Sequence, residues 1–222
     1  MEMEIKIAAI NLNGSHGKIY ATIRNMKELG LAFCFVAETW IGPGKRIPAR
    51  ELIFHQSHGR SRNSGHYPYG IGVLYNDEIL RKEDFTLIDQ NPFYLCFEVK
   101  GVRFIGCYIP PQRHSDWLNK YLKELEILLS RDTKTIILGD LNARHKDYGD
   151  HKTNQYGIIL KDWIRKLELE RCEPIKGKWT ILNGKEKSIV DHIIKNFNTN
   201  IEMVVHEETC TNGSDHNVQD QG

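Results

Sequence analysis

Apolar positions along the chain follow two rhythms. Short unbroken apolar runs between turn residues predict buried strands, and apolar residues recurring three and four apart predict helices. Ile5, Ile7, Ala8, Ala9, Ile10 and Leu12 predict a first strand that ends in Asn11-Leu12-Asn13-Gly14. Ile19, Ile23, Met26 and Leu29 share one side of a helix over residues 18–29, and Gly30 stands where a helix-ending glycine is expected. Residues 31–37 are almost wholly apolar and run into Glu38-Thr39-Trp40. Residues 69–75, 84–88, 93–99 and 102–108 then predict successive strands, the last pair joined by Lys100-Gly101, and the last ends in Tyr108-Ile109-Pro110-Pro111. Leu118, Tyr121, Leu122, Leu125 and Leu128 form the core stripe of a helix that Ser115 would cap. After the run at 135–138, a second helix is predicted over 157–169, with Ile158, Ile159, Trp163, Ile164 and Leu167 inward. Strands at 179–181 and 187–194 flank an Asn183-Gly184 hairpin turn, and a last strand covers 201–205.

Candidate chemistry gathers where strands end. Thr135 to Leu138 make a buried strand, and Asp140 and Asn142 follow Gly139 two positions apart, so on extended backbone they project to one side. Locally, Asp and Asn after glycine are also ordinary turn residues. Glu38 repeats the pattern at the end of another core strand, where a solvated strand end is equally open. Asp191 lies within I-V-D-H-I-I, and an ionised carboxylate there needs a partner. Residues 41–69 turn to Gly, Pro and Ser with Lys45, Arg46, Arg50, Arg60 and Arg62 against the single acid Glu51. A long basic loop of that kind suits a phosphate backbone, although it also reads as a solvated surface excursion. His55, His58, His66 and His206 are expected at the surface, and His192 on the face of its strand opposite Asp191.

Composition narrows the classes. At 222 residues without a Pro- or Ser-rich linker, one domain spanning 1–222 is expected. Net charge is +1, so attraction to nucleic acid must come from local patches. The five cysteines show no C-x-x-C spacing, and Cys34, Cys96 and Cys107 lie in apolar runs as buried thiols. A reducing intracellular setting follows, with no signal peptide expected at the acidic amino end and no apolar run reaching the roughly 18 residues of a membrane span.

Six pieces in order resemble the endonuclease/exonuclease/phosphatase superfamily: N-L-N-G at 11–14, E-T-W at 38–40, Y-I-P-P at 108–111, G-D-L-N-A at 139–143, V-D-H-I at 190–193 and S-D-H-N at 214–217. Within it, G-D-L-N-A-R-H at 139–145, Tyr148-Gly149, N-Q-Y-G at 154–157 and E-T-W-I-G-P-G at 38–44 are similar to the endonuclease domain of jockey- and R1-like non-LTR retrotransposons. The resemblance implies a four-layer α/β sandwich, two mainly antiparallel sheets face to face with helices outside. It implies a divalent-metal-dependent endonuclease that nicks DNA, nuclear when acting on its target, monomeric, without a membrane, and originally part of a longer reverse-transcriptase polyprotein.

By the same resemblance Glu38 ligates Mg²⁺ or Mn²⁺ with Asn11 and Asp215 beside it, and Asp140 orients or deprotonates the water. Asn142 and Tyr108 bind phosphate oxygens, and His216, oriented by Asp191, holds the scissile phosphate. Ser214 and Thr180 are weaker backbone or phosphate contacts, and Arg60 and Arg62 would meet the substrate. One departure from the pattern stands out: only Asn217 to Gly222 follow the S-D-H element, a polar tail expected to be too short to complete the sheet. The alternatives are another superfamily phosphoesterase, acting on abasic DNA, RNA or a small phosphate ester, and an inactive DNA-binding remnant.

Overall fold

A computed structural model describes residues 5–14, 16–46, 49–57, 69–111, 113–130, 132–183, 186–198, 201–206 and 218–221. The unbroken apolar runs become central strands, because a strand covered on both faces needs apolar side chains on both. β1 (Ile7–Asn11) and β2 (Phe33–Ala37) are buried at every position and lie parallel, joined by α1 (His16–Leu29). β4 (Ile71–Tyr75) pairs antiparallel with β2 and carries the edge strand β3 (Leu52–Gln56). On the far side of β1 lie β15 (Val218–Gln221), β14 (Met203–His206) and β10 (Pro174–Lys176), giving the order β10-β14-β15-β1-β2-β4-β3.

The second sheet contains β5 (Phe85–Asn91), β6 (Tyr94–Val99), β7 (Val102–Tyr108), β8 (Thr135–Asp140), β13 (Asp191–Lys195) and β9 (Glu170–Arg171) in that spatial order. All its pairings are antiparallel except β7 with β8, which are parallel and linked through α2 (Ser115–Leu128). α3 (Gln155–Lys166) packs beside α2.

Alternation along the strands divides the core into three layers of contact. Phe33, Phe35, Phe97, Phe104 and Leu138 fill the space between the sheets, with Phe33 edge-on to Phe104 at 4.9 Å. Cys34, Val36 and Leu74 face α1 through Ile19 and Met26. Cys107, Ile105 and Ile137 face α2 and α3 through Leu122 and Leu160. The result is the four-layer α/β sandwich that the resemblance implied.

Four details differ from the sequence reading. His114, not Ser115, caps α2, its ring nitrogen accepting from the Asp116 amide. The strand expected over 187–194 is broken. β12 (Glu186–Ser188) forms a separate hairpin with β11 (Ile181–Asn183), while β13 joins the second sheet. The cause lies at the break, where the amides of Ile189, Val190 and Asp191 are taken by side chains of Asp150 and Thr180 instead of a ladder. The short strands β9 and β10 had no periodic signal. The polar tail at 218–221, expected to fall short of a strand, pairs antiparallel with both β1 and β14, since ladder bonds come from backbone and do not require apolar side chains.

Candidate active site

Three strands of the second sheet end level with one another. Register places Tyr108 opposite Asp140 and Asp140 opposite Asp191, so the three stand in a row one strand spacing apart. The other sheet brings Asn11, whose Cα partner is Ala37, next to Glu38. The Asn11 amide then spans the sheets: Nδ2 donates to Glu38 Oε1 at 2.8 Å and to Asp140 Oδ2 at 2.9 Å, while Oδ1 accepts from the Asn13 amide at 2.9 Å. An amide nitrogen has two protons, and here each meets a carboxylate. Tyr108 donates its hydroxyl to the same Glu38 oxygen at 2.8 Å. Burial, then the carboxylates of Glu38 and Asp140, push the Tyr108 pKa up, which keeps it a phenol and a donor.

Local backbone choices make this convergence possible. Gly139 has φ +132 and lies so close to β7 that a Cβ would sit 2.1 Å from the Cys107 carbonyl oxygen, so only glycine fits. Asp140 Oδ1 accepts from the Asn142 amide at 3.0 Å, an Asx turn that holds the carboxylate in place. Asn142, at φ 48, donates Nδ2 to the Ile109 carbonyl at 2.9 Å, leaving its second amide proton for a ligand. On the other side Glu38 and Trp40 both adopt positive φ, 51 and 54. They are held by bonds from Gly14 N to Glu38 O (2.8 Å), Thr39 N to Gly70 O (3.1 Å) and Trp40 N to Tyr69 O (3.0 Å). The Trp40 ring lies over Gly14, where a Cβ would come within 2.2 Å of it.

His55 is not a surface residue: its Nε2 lies 2.8 Å from the Thr39 hydroxyl, and burial lowers its pKa to about 4. His192 does face away from Asp191, into the helix side of the sheet. It is fully buried, with Nε2 2.7 Å from the Ala143 carbonyl and Nδ1 accepting from Arg171 Nε at 2.9 Å. Those partners place the proton on Nε2, and burial followed by the Arg171 charge lowers the pKa to about 3.

The family model described as endonuclease-reverse transcriptase matches residues 102–219, more than half of the chain. The chain belongs to this endonuclease-reverse transcriptase family. No curated protein matches it. Among solved structures, the endonuclease domain of TRAS1, a telomere-specific non-LTR retrotransposon, aligns at TM-score 0.71 and 15% identity, over 98% of this chain and 96% of that one. An AP endonuclease from Archaeoglobus fulgidus aligns at TM-score 0.71 and 14% identity, over 99% of both chains. A 3′ phosphatase from Neisseria bound to product DNA hairpin aligns at 0.70 and 15%, again over 99% of both. The fold is therefore that of the endonuclease/exonuclease/phosphatase superfamily, and family membership places the chain among nuclease and phosphoesterase hydrolases.

Against that family pattern, the structure brings Asn11, Glu38, Tyr108, Asp140, Asn142 and Asp191 to one place. Thr180 lies behind them, fully buried, its hydroxyl accepting from the amides of Val190 (3.0 Å) and Asp191 (3.2 Å), so its visible contact is with backbone. Arg60, Arg62, Ser214, Asp215 and His216 lie outside the described residues.

Several supporting residues had no assigned role in the sequence reading. Arg144 pairs with the buried Asp150, Nη2 to Oδ1 at 2.9 Å, and Asp150 also accepts from the Ile189 amide at 2.8 Å, tying the G-D-L-N loop to the segment before Asp191. Burial works to raise the Asp150 pKa, but bonds from Arg144 and the Ile189 and Lys152 amides outweigh it and hold the carboxyl below its usual range. Asn154 caps α3 through Gly157 N (2.8 Å), accepts from Arg144 N (3.0 Å) and donates to Asn142 O (2.8 Å). Gly157 must lack a Cβ, which would fall 1.9 Å from the Arg144 carbonyl oxygen. The N-Q-Y-G spacing was the available signal: an N-cap three residues ahead of a glycine packed on the backbone of Arg144.

The two carboxylates, Glu38 and Asp140, are hard oxygen donors of the kind that Mg²⁺ and Mn²⁺ prefer, while Asn11 turns its NH2 to them and its oxygen to the Asn13 amide. Glu38 and Asp140 share the Asn11 amide nitrogen as donor, which holds two carboxylates close together. Among the described residues there is no group of three His, Cys, Asp or Glu that could hold a metal. The set fits a cation that completes its coordination with water or phosphate.

Proposed function

We propose that the chain is a divalent-metal-dependent DNA endonuclease that hydrolyses one phosphodiester bond of a duplex. The supporting observation is the Asn11 amide holding Glu38 and Asp140 together beside the Tyr108 hydroxyl. Hydrolysis of a phosphodiester requires an activated water, neutralisation of phosphate charge and help for the departing oxygen. A bound Mg²⁺ or Mn²⁺ would supply charge neutralisation, with Glu38 as principal ligand and Asn11 and Asp215 beside it.

The remaining steps belong to side chains. Asp140, with one oxygen fixed by the Asn142 amide, orients the attacking water and accepts its proton. The second Asn142 amide proton and the Tyr108 phenol donate to phosphate oxygens, Tyr108 by exchanging its bond to Glu38 for one to substrate. Asp191, next in the row, would orient His216, and the imidazolium would stabilise the charge that develops on the phosphate oxygens. Acting on genomic DNA would require entry to the nucleus, and nothing in the chemistry asks for a second subunit or a membrane.

The same centre suits an abasic-site duplex or a terminal 3′ phosphate, the substrates named for two structural neighbours. Incubation of purified protein with Mg²⁺ and matched intact, abasic and 3′-phosphorylated duplexes separates these readings. Internal nicks in the intact duplex are expected; cleavage confined to abasic or phosphorylated DNA would replace the proposal.

A further inference from the structure

Beside the candidate site, the β5–β6 turn and the first turns of α2 enclose a pocket of about 210 Å³ lined by Asn91, Pro92, Phe93, Trp117, Lys120, Tyr121 and Glu124. It opens at the same end of the sheet as the catalytic row, since the Phe93 carbonyl accepts from the Tyr108 amide at 2.8 Å and from the Tyr121 hydroxyl at 2.9 Å. Rings lead from one to the other: Tyr108 to Tyr69 at 6.0 Å, Tyr69 to Phe93 at 6.5 Å and Phe93 to Trp117 at 5.2 Å.

We infer that this pocket receives one unstacked nucleobase of the DNA strand whose phosphate lies at Glu38 and Asp140. The inference rests on the DNA-endonuclease reading of the site.

Three features favour a base over other ligands. The walls are aromatic and rigid. Trp117 stacks on Tyr121 with planes 15° apart, and Arg113 lies over both Phe93 and Trp117 at 5.7 and 5.6 Å. Its backbone is also fixed by the Tyr156 hydroxyl. Flat walls of this kind take any base by stacking. The polar edge consists of Glu124 and the Asn91 amide, which donates to Glu124 at 3.3 Å, so a carboxylate oxygen faces a ligand that carries N–H donors. A phosphate would be repelled by that carboxylate, and a hydrocarbon would leave it unpaired. Two cations belong to the same place, Lys120 in the lining and Arg113 over the Phe93 and Trp117 rings, and both can meet the phosphates that flank an inserted base.

Binding of short duplexes by the Asp140→Asn protein tests the inference without cleavage. One duplex is fully paired; the other carries a single bulged 2-aminopurine. The bulged duplex should bind about tenfold more tightly, with its fluorescence quenched by ring stacking. Trp117→Ala should remove both the preference and the quenching. Glu124→Gln, a milder change at the pocket edge, should keep the quenching and reduce the preference.

Equal affinity for the two duplexes with unquenched 2-aminopurine overturns the pocket while leaving the endonuclease reading intact, as does a preference that both variants retain. Failure of the Asp140→Asn protein to bind either duplex overturns both.

Discussion

The two sheets contribute to the site by different means. The second sheet supplies Tyr108, Asp140 and Asp191 from the ends of three hydrogen-bonded neighbours, and register alone sets them side by side. The first sheet supplies Asn11 from a strand end but Glu38 from a turn with left-handed residues, held by Gly14, Gly70, Tyr69 and His55. One half is fixed by the ladder; the other by a few backbone bonds and a ring packed on a glycine. The difference teaches where each half is vulnerable. Ladder register resists single substitutions unless one opens the strands, whereas the Glu38 turn depends on individual contacts.

The largest effect is expected where the ladder itself is forced apart. Gly139→Ala would place a methyl against the Cys107 carbonyl at a backbone angle suited to glycine, and should destabilise the fold by roughly 3 kcal/mol or more. Urea unfolding measures it, and a loss below about 1 kcal/mol would show that β7 and β8 are not so tightly apposed.

Asn11→Ala should come next, at roughly 2–3 kcal/mol, because it strips a shared donor from two carboxylates, one of them buried. It also unlinks the halves, so phosphodiester cleavage should fall further than stability does. Unchanged cleavage would separate the sheets' contributions and contradict the shared amide.

Acid should then act on both halves through their histidines. His55 and His192 have folded pKa values lowered to about 4 and about 3, against an ordinary 6.5 in the unfolded chain. The unfolded chain therefore binds more protons between pH 6.5 and those values. Stability is full above about 6.5 and declines as pH falls, by up to about 1.4 kcal/mol per pH unit for each histidine. His55→Gln should remove one histidine's share of that slope, seen in unfolding measured at pH 7 and pH 5; an unaltered slope would place His55 in water.

The smallest effect expected is that of His55→Gln at neutral pH, about 1 kcal/mol, since an amide can still reach Thr39. Weaker Mn²⁺ binding with little change in Tm would sharpen the comparison by showing that the Glu38 turn is tuned through Thr39.

The unequal construction also explains what could be read from sequence. G-D-L-N follows an apolar run, so Asp140 was visible as a polar residue at a predicted strand end, whereas Asp191 was visible as a carboxylate inside the strand predicted over 187–194, where it needed a partner. Glu38 was visible for the same reason as Asp140. Most of the support was not: Asp150 and His192 act through long-range bonds that no period marks in a sequence, and Asn154 left only the N-Q-Y-G spacing as a signal. The break at Ile189 escaped because the hydrophobic pattern of 187–194 is continuous, while the bonds that interrupt it come from Asp150 and Thr180. Likewise the tail at 218–221 was judged by its polar side chains, although its place depends on backbone pairing with β1 and β14.

The central claim is that the two halves meet to form a metal-dependent phosphodiesterase centre around Asp140. Supercoiled plasmid incubated with wild-type protein and Mg²⁺ should convert to open circles. EDTA should stop the conversion, and Asp140→Asn should slow it by about a thousandfold or more while the protein stays folded, at a stability cost of roughly 1–3 kcal/mol because an NH2 replaces one of two oxygens that accept from Asn11 and Asn142. Equal nicking by the wild-type and Asp140→Asn proteins, or none by folded wild-type protein with Mg²⁺ or Mn²⁺, would contradict the account.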